Sequence, residues 1–167
     1  MSTKYAYFAG GCFWCITPIF KIQNGVKSVV SGFSGGDEKD PSYEDVKRQL
    51  TGHRETVCIE YDPEAISYGK LLDIFLADVD PYDGDGQYID RGRSYTLAVY
   101  YLCEDERREA LAGIAELNER SGKDVCISVE PFKSFYPAEE EHQDYYLKHP
   151  DAFEREVIES GRKKDRR

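Results

Sequence analysis

Five stretches rich in β-branched and aromatic residues, each ending in glycine, proline or acidic residues, predict strands. They are "KYAYFAG" at 4–10, which alternates, "VKSVVSGFSGG" at 26–36, "ETVCIEYD" at 55–62, "YTLAVYYL" at 95–102 and "VCISVEPF" at 125–132. Between them run helical patterns. "CFWCITPIFKIQ" at 12–23 places Phe13, Ile16, Phe20 and Ile22 near one face, and Pro18 predicts either a break or a late start. "PSYEDVKRQL" at 41–50 predicts a short helix or turn with Pro41 near its start. "PEAISYGKLLDIFLADV" at 63–79 buries a stripe of Leu71, Leu72, Phe75 and Leu76, and "DERREALAGIAELNER" at 105–120 is a charged helix. "VDPYDGDGQYIDRGRS" at 79–94 is a Gly/Asp-rich loop too long for a plain connection, hence a functional candidate. "SFYPAEEEHQDYYLKHP" at 134–150 predicts a loop leading into a helix.

Strands and helices mix without a regular βαβ rhythm. That order predicts an α+β fold: a mixed, mostly antiparallel sheet flanked by helices, a two-layer sandwich of ferredoxin-like type. No repeat, linker or low-complexity segment divides the chain, so residues 1–160 are expected to form a single catalytic domain. Residues 161–167, "GRKKDRR", are expected to be a basic, frayed tail.

Composition narrows the function classes. With 40% apolar and 32% charged residues the chain reads as globular. No apolar run approaches a membrane span, and the opening "MSTKYAYFAGG" lacks the pattern of a secretory signal. Five cysteines in that setting predict free or catalytic thiols in a reducing compartment, the cytoplasm. A net charge of -10 repels phosphate backbones, so neither nucleic acid nor a membrane is an expected partner.

The candidate chemistry centres on "GGCFWC" at 10–15. Cys12 falls where a strand hands over to a helix. Unpaired N–H groups at a helix start favour negative charge, which predicts a thiol that ionises readily. The glycines are read as letting a substrate approach the backbone. Cys15 lies one turn on, facing the same way. C-x-x-C is the spacing of disulfide oxidoreductases and also of zinc ligand pairs. Cys58, Cys103 and Cys126 stand singly and the three histidines form no matching pair, so no metal is expected. Phe13 and Trp14 either fill the core or wall a small apolar pocket, and spacing alone does not separate the two.

Six segments in order then resemble the A-type peptide methionine sulfoxide reductases: "GCFWC" at 11–15, "SGFSGG" at 31–36, "PSYEDV" at 41–46, "TGHRETVCIEYDP" at 51–63, "DRGRSY" at 90–95 and "FYPAEEEHQDYYL" at 135–147. The resemblance implies that Cys12 is the nucleophile and that Phe13 and Trp14 receive the substrate's methyl group. It implies that Tyr43 is directed at the sulfoxide oxygen, that Glu55 gives that oxygen a proton, and that Asp90 and Tyr95 supply a carboxylate and a hydroxyl. It also implies a substrate, methionine S-sulfoxide, free or in oxidised proteins. Departures from the family pattern include Cys15, where glycine is common, Phe33, and the flanks of Asp90. No cysteine follows Pro150, whereas many relatives carry recycling cysteines there.

The implied chemistry suits these residue types. Oxide leaves a sulfoxide poorly unless protonated, so a thiol needs a neighbouring carboxylic acid that keeps its proton near neutral pH. Burial beside aromatic rings would give Glu55 that property, whereas a solvated Glu55 at the strand end would be ionised. Attack by Cys12 leaves a sulfenic acid, and a second thiol condenses with it to a disulfide. Cys15 is the expected resolving thiol, with Cys58 next. No bound cofactor is expected, and thioredoxin or a small thiol is the expected external reductant. A general dithiol–disulfide oxidoreductase using the C-x-x-C pair is the alternative. It has no need of Glu55. His53 and His142 are expected to be scaffold hydrogen-bonders.

Overall fold

A computed structural model describes residues 3–160, and the basic tail expected at 161–167 lies outside the described residues. Strands β1 (Lys4–Gly10), β2 (Val26–Ser34), β3 (Arg54–Tyr61), β6 (Leu97–Tyr101), β7 (Ile127–Pro131) and β8 (Phe135–Pro137) form a six-stranded sheet in the order β7-β6-β1-β3-β2-β8. All neighbours are antiparallel except β6 and β7. That parallel pair needs a crossover, supplied by helix α4 (Glu104–Ser121).

The inner four strands carry the expected ferredoxin-like arrangement. β1, helix α1 (Phe13–Lys21), β2, β3, helix α3 (Tyr68–Asp78) and β6 follow in chain order as βαββαβ. Ala6, Phe8, Val57, Ile59, Leu97 and Val99 alternate onto one face of the sheet and are all buried. Phe8 joins both helices to the centre of that face, its ring stacked on Phe20 at 5.8 Å and on Phe75 at 5.0 Å.

Local chemistry moved several boundaries. The helix expected from Pro63 starts at Tyr68, because the Ser67 hydroxyl caps it by accepting the Lys70 N–H at 3.0 Å. Ser42 caps helix α2 (Tyr43–Lys47) in the same way, through the Asp45 N–H at 3.1 Å. Pro18 neither breaks nor delays α1. The helix runs from Phe13 to Lys21 through it, with Ile16, Ile19 and Phe20 buried on both sides of the proline. The Thr17 hydroxyl donates to the Phe13 carbonyl at 2.7 Å.

Two segments expected to be irregular are ordered. The long loop contains a small hairpin of β4 (Gly86–Gln87) and β5 (Asp90–Arg91), followed by a 3-10 turn at Arg93–Tyr95. The segment after residue 134 adds β8 to the sheet edge before the short helix α5 (Tyr145–Lys148) and helix α6 (Pro150–Ser160). Gln143 ties this segment to β2. Its side chain accepts the Ser31 N–H at 2.9 Å and donates to the Ser31 and Ala138 carbonyls at 2.9 and 3.0 Å.

Candidate active site

The chain turns from β1 into α1 at Gly11, whose φ of 88° lies in the left-handed region that glycine tolerates best. Gly10 has a different role from the one expected. A Cβ there would collide with Ile16 and crowd Phe75 at 3.1 Å, so this glycine lets α1 and α3 close on the strand rather than admitting a substrate.

Cys12 is the N-cap of α1, yet its side chain makes no capping bond. The cap comes from elsewhere in the fold. The Phe13 N–H donates to Glu55 Oε1 at 3.1 Å, so a carboxyl from β3 satisfies one of the orphan donors of α1. Glu55 is 1% exposed, and its second oxygen, Oε2, is buried without a hydrogen-bond partner. Burial pushes the acid up to about 8. The Phe13 N–H opposes that shift, the charges of Asp90 and Cys15 add to it, and the Tyr95 hydroxyl opposes it. At neutral pH Glu55 is therefore mostly the neutral acid.

The thiol behaves differently from the sequence-based expectation. Cys12 is held well above the usual thiol range, first by its hydrogen bond to Cys15, then by burial, then by the negative charges of Cys15, Glu55 and Asp90. The favourable field of the helix start does not overcome these effects. In the substrate-free protein Cys12 is a thiol.

The remaining candidate side chains converge here. Cys12, Cys15 and Tyr95 form one buried cluster, with Trp14 and Phe153 of α6 packed against it. Burial and then the charge of Glu55 raise Tyr95, and Tyr43, Cys12 and Asp90 add to the effect, so all of these groups share one electrostatic environment. Phe13 is fully buried and its ring lies 6.1 Å from that of Tyr43, whereas Trp14 is only partly buried. Phe13 is thus core and floor at once, and Trp14 is a wall.

Sequence reasoning missed part of that wall. His142 stacks on Tyr43 at 4.0 Å and on Trp14 at 5.7 Å, and Tyr145 stacks on Trp14 at 4.1 Å. Both belong to "EEEHQDYY", where the signal was the resemblance and not a periodicity. His142 Nδ1 and Trp14 Nε1 are buried without partners, like Glu55 Oε2.

His53 and Arg54 of "GHRE" are scaffold. His53 Nδ1 accepts the Gly36 N–H at 3.2 Å, which places the ring proton on Nε2, facing the Glu38 carbonyl at 2.8 Å. Arg54 points to the opposite face of the sheet from Glu55 and donates to Thr96 Oγ1, Tyr100 Oη and Glu130. An open groove of about 770 Å³ near Arg54, Arg91 and Cys126 is lined by none of the candidate site residues. Among the described residues Glu139, Glu141 and His142 bring metal-type ligand atoms within 4.8 Å of one another, with both glutamates exposed. Cys12 and Cys15 belong to no such group.

Comparison with known proteins gives the site a context. The family described as "PMSR: Peptide methionine sulfoxide reductase" matches residues 4–167. The chain belongs to that family. Among curated members of the reductase family, "Peptide methionine sulfoxide reductase MsrA 2" of Staphylococcus aureus (strain N315) is 45% identical over 165 residues, covering 98% of this chain and 93% of its own. The MsrA of Halalkalibacterium halodurans is 47% identical over 161 residues, covering 94% and 90%. Among solved structures, reduced Mxr1 from Saccharomyces cerevisiae superposes with a TM-score of 0.84 at 29% identity, covering 89% of this chain and 87% of that one. Mxr1 has also been solved in complex with Trx2, at a TM-score of 0.59 and 23% identity over 86% of this chain and 84% of that one, a likeness that bears on the fold alone.

Proposed function

We propose that this reductase removes oxygen from methionine S-sulfoxide, free or in oxidised proteins, on a single catalytic domain of residues 1–160, in the cytoplasm. The observation that carries the reading is the carboxyl of Glu55. One oxygen is fixed by the Phe13 N–H, the other is buried and unpartnered, and the acid keeps its proton up to about pH 8 beside the Cys12 sulfur.

A sulfoxide carries partial positive charge on sulfur and partial negative charge on oxygen. Seated with its methyl group between Phe13 and Trp14, it brings the positive end to Cys12 and the negative end to Glu55. The substrate thus supplies the charge that makes the Cys12 thiolate accessible. The Cys12 sulfur bonds to the sulfoxide sulfur while Glu55 gives its proton to the oxygen, and the proton lost by the thiol replaces it. Tyr43 and Tyr95 present hydroxyls to the same oxygen, and Asp90 holds the main chain of the substrate. In this adduct the hydroxyl oxygen then passes from the methionine sulfur to the Cys12 sulfur as the bond between the two sulfurs breaks, so methionine leaves as the thioether and Cys12 carries a sulfenic acid. Attack by the Cys15 thiol then expels water and forms a Cys12–Cys15 disulfide. A thioredoxin-type dithiol or a small thiol returns the pair to thiols.

The test is an assay on separated sulfoxide epimers, followed by mass mapping of the oxidised protein. Turnover of the S epimer alone, with a Cys12–Cys15 disulfide, is expected. A general dithiol–disulfide oxidoreductase would instead exchange disulfides at undiminished rate in Glu55→Gln.

A further inference from the structure

The two sulfurs of the pair differ in what can reach them. Cys12 sits at the mouth of the helix, on the residue that caps it, and retains 5% exposure. Cys15 lies one turn further in, 0% exposed, beneath Cys12 and against Tyr95 and Trp14, with Phe153 packed on the same cluster. A thiolate attacks a disulfide along the S–S axis, from the side opposite the leaving sulfur. Cys12 keeps exposed surface from which a reductant can start along that line, and Cys15, covered by Tyr95, Trp14 and Phe153, keeps none.

We infer that the external dithiol reduces the oxidised protein by attacking Cys12, so that Cys15 is the leaving sulfur and one opening serves both substrate and reductant. The inference rests on Cys15 being the resolving thiol. In the first step a reductant thiolate bonds to the Cys12 sulfur, the Cys12–Cys15 bond breaks, and Cys15 takes up a proton as a thiol. The second reductant thiol then attacks its own partner sulfur in the mixed disulfide, and Cys12 leaves and is protonated. Two electrons pass from the dithiol to the pair, and the reductant departs as a disulfide. Reductant and methionine sulfoxide therefore use the same sulfur in alternate half-reactions.

The experiment traps the mixed disulfide. The full-length protein is oxidised with one equivalent of methionine S-sulfoxide and mapped. It is then mixed with a thioredoxin whose second active-site cysteine is serine, quenched in acid, alkylated and mapped by mass again. The expected adduct joins thioredoxin to Cys12 and leaves Cys15 alkylated. Cys15→Ser, activated at Cys12 with an aromatic disulfide reagent and then mixed with the same thioredoxin, gives the reference fragment. An adduct on Cys15 in equal or greater yield would overturn the inference while keeping Cys15 as the resolving thiol. Absence of a Cys12–Cys15 disulfide in the first mapping would remove both.

Discussion

Glu55 accepts the backbone N–H of Phe13 at 3.1 Å across 42 residues of sequence. That bond joins the carboxyl to the residue after Cys12, so the proton donor and attacking sulfur proposed above are fixed relative to one another by the sheet. The role of Glu55 can be tested directly. Glu55→Gln keeps an oxygen able to accept the Phe13 N–H and removes the ionisable proton. Single-turnover reduction of methionine S-sulfoxide is expected to fall by roughly 10²–10⁴-fold with little change in thermal stability. Unchanged turnover would remove Glu55 as the acid.

The raised pKa of Glu55 also links stability to pH. The carboxyl moves from 4.5 to about 8 on folding, so the folded state holds a proton that the unfolded chain releases. The contribution is fully present below about 4.5 and is lost as pH rises towards about 8. Thermal melts should show the wild type losing more stability between pH 5 and 8 than Glu55→Gln does. Equal pH dependence in both proteins would count against a buried neutral acid.

Cys12 should be slow to react without substrate. Its hydrogen bond to Cys15 and its burial hold it as a thiol, so iodoacetamide labelling followed by mass spectrometry should show weak modification at pH 7, rising with pH to beyond 9. Cys15→Ala removes the first of those causes and should move the labelling profile to lower pH.

Cys15→Ser separates reduction from recycling. The variant is expected to release one equivalent of methionine per chain and stop, with thioredoxin as the only donor. Rapid-quench analysis would show the burst. Full thioredoxin-driven cycling would transfer the resolving role to Cys58 or to direct reduction of the sulfenic acid.

Gln143→Ala tests the strap that holds the outer pocket wall. It removes the bonds to Ser31 and Ala138 and leaves buried backbone groups short of partners, a loss of about 1–3 kcal/mol. Because His142 precedes Gln143, KM for methionine sulfoxide should rise more than kcat falls.

Much of this was legible in the sequence where a local rule and the tertiary fold agree. Alternating apolar residues placed β1 and β3, and the stripe on Leu71, Leu72 and Phe75 placed α3. β8 was missed because Phe135–Pro137 is too short and proline-bounded to declare itself. It is a strand only because β2 offers an open edge. Cys12 lies at the helix start as expected, but its thiol is pushed up rather than down. The helix start is a local feature, whereas the burial, Cys15, Glu55 and Asp90 that oppose it assemble only in three dimensions. Pro18 shows the converse: a strong local breaker is overruled by a buried helix face.

The cap that β3 gives to α1 sets an order on the birth of the molecule. A nascent chain ending before residue 55 already carries both sulfurs of the pair but no acid. Its thiols stay chemically ordinary until the hairpin of β2 and β3 zips and docks beside β1. The acid therefore joins the two sulfurs only once the centre of the sheet has closed.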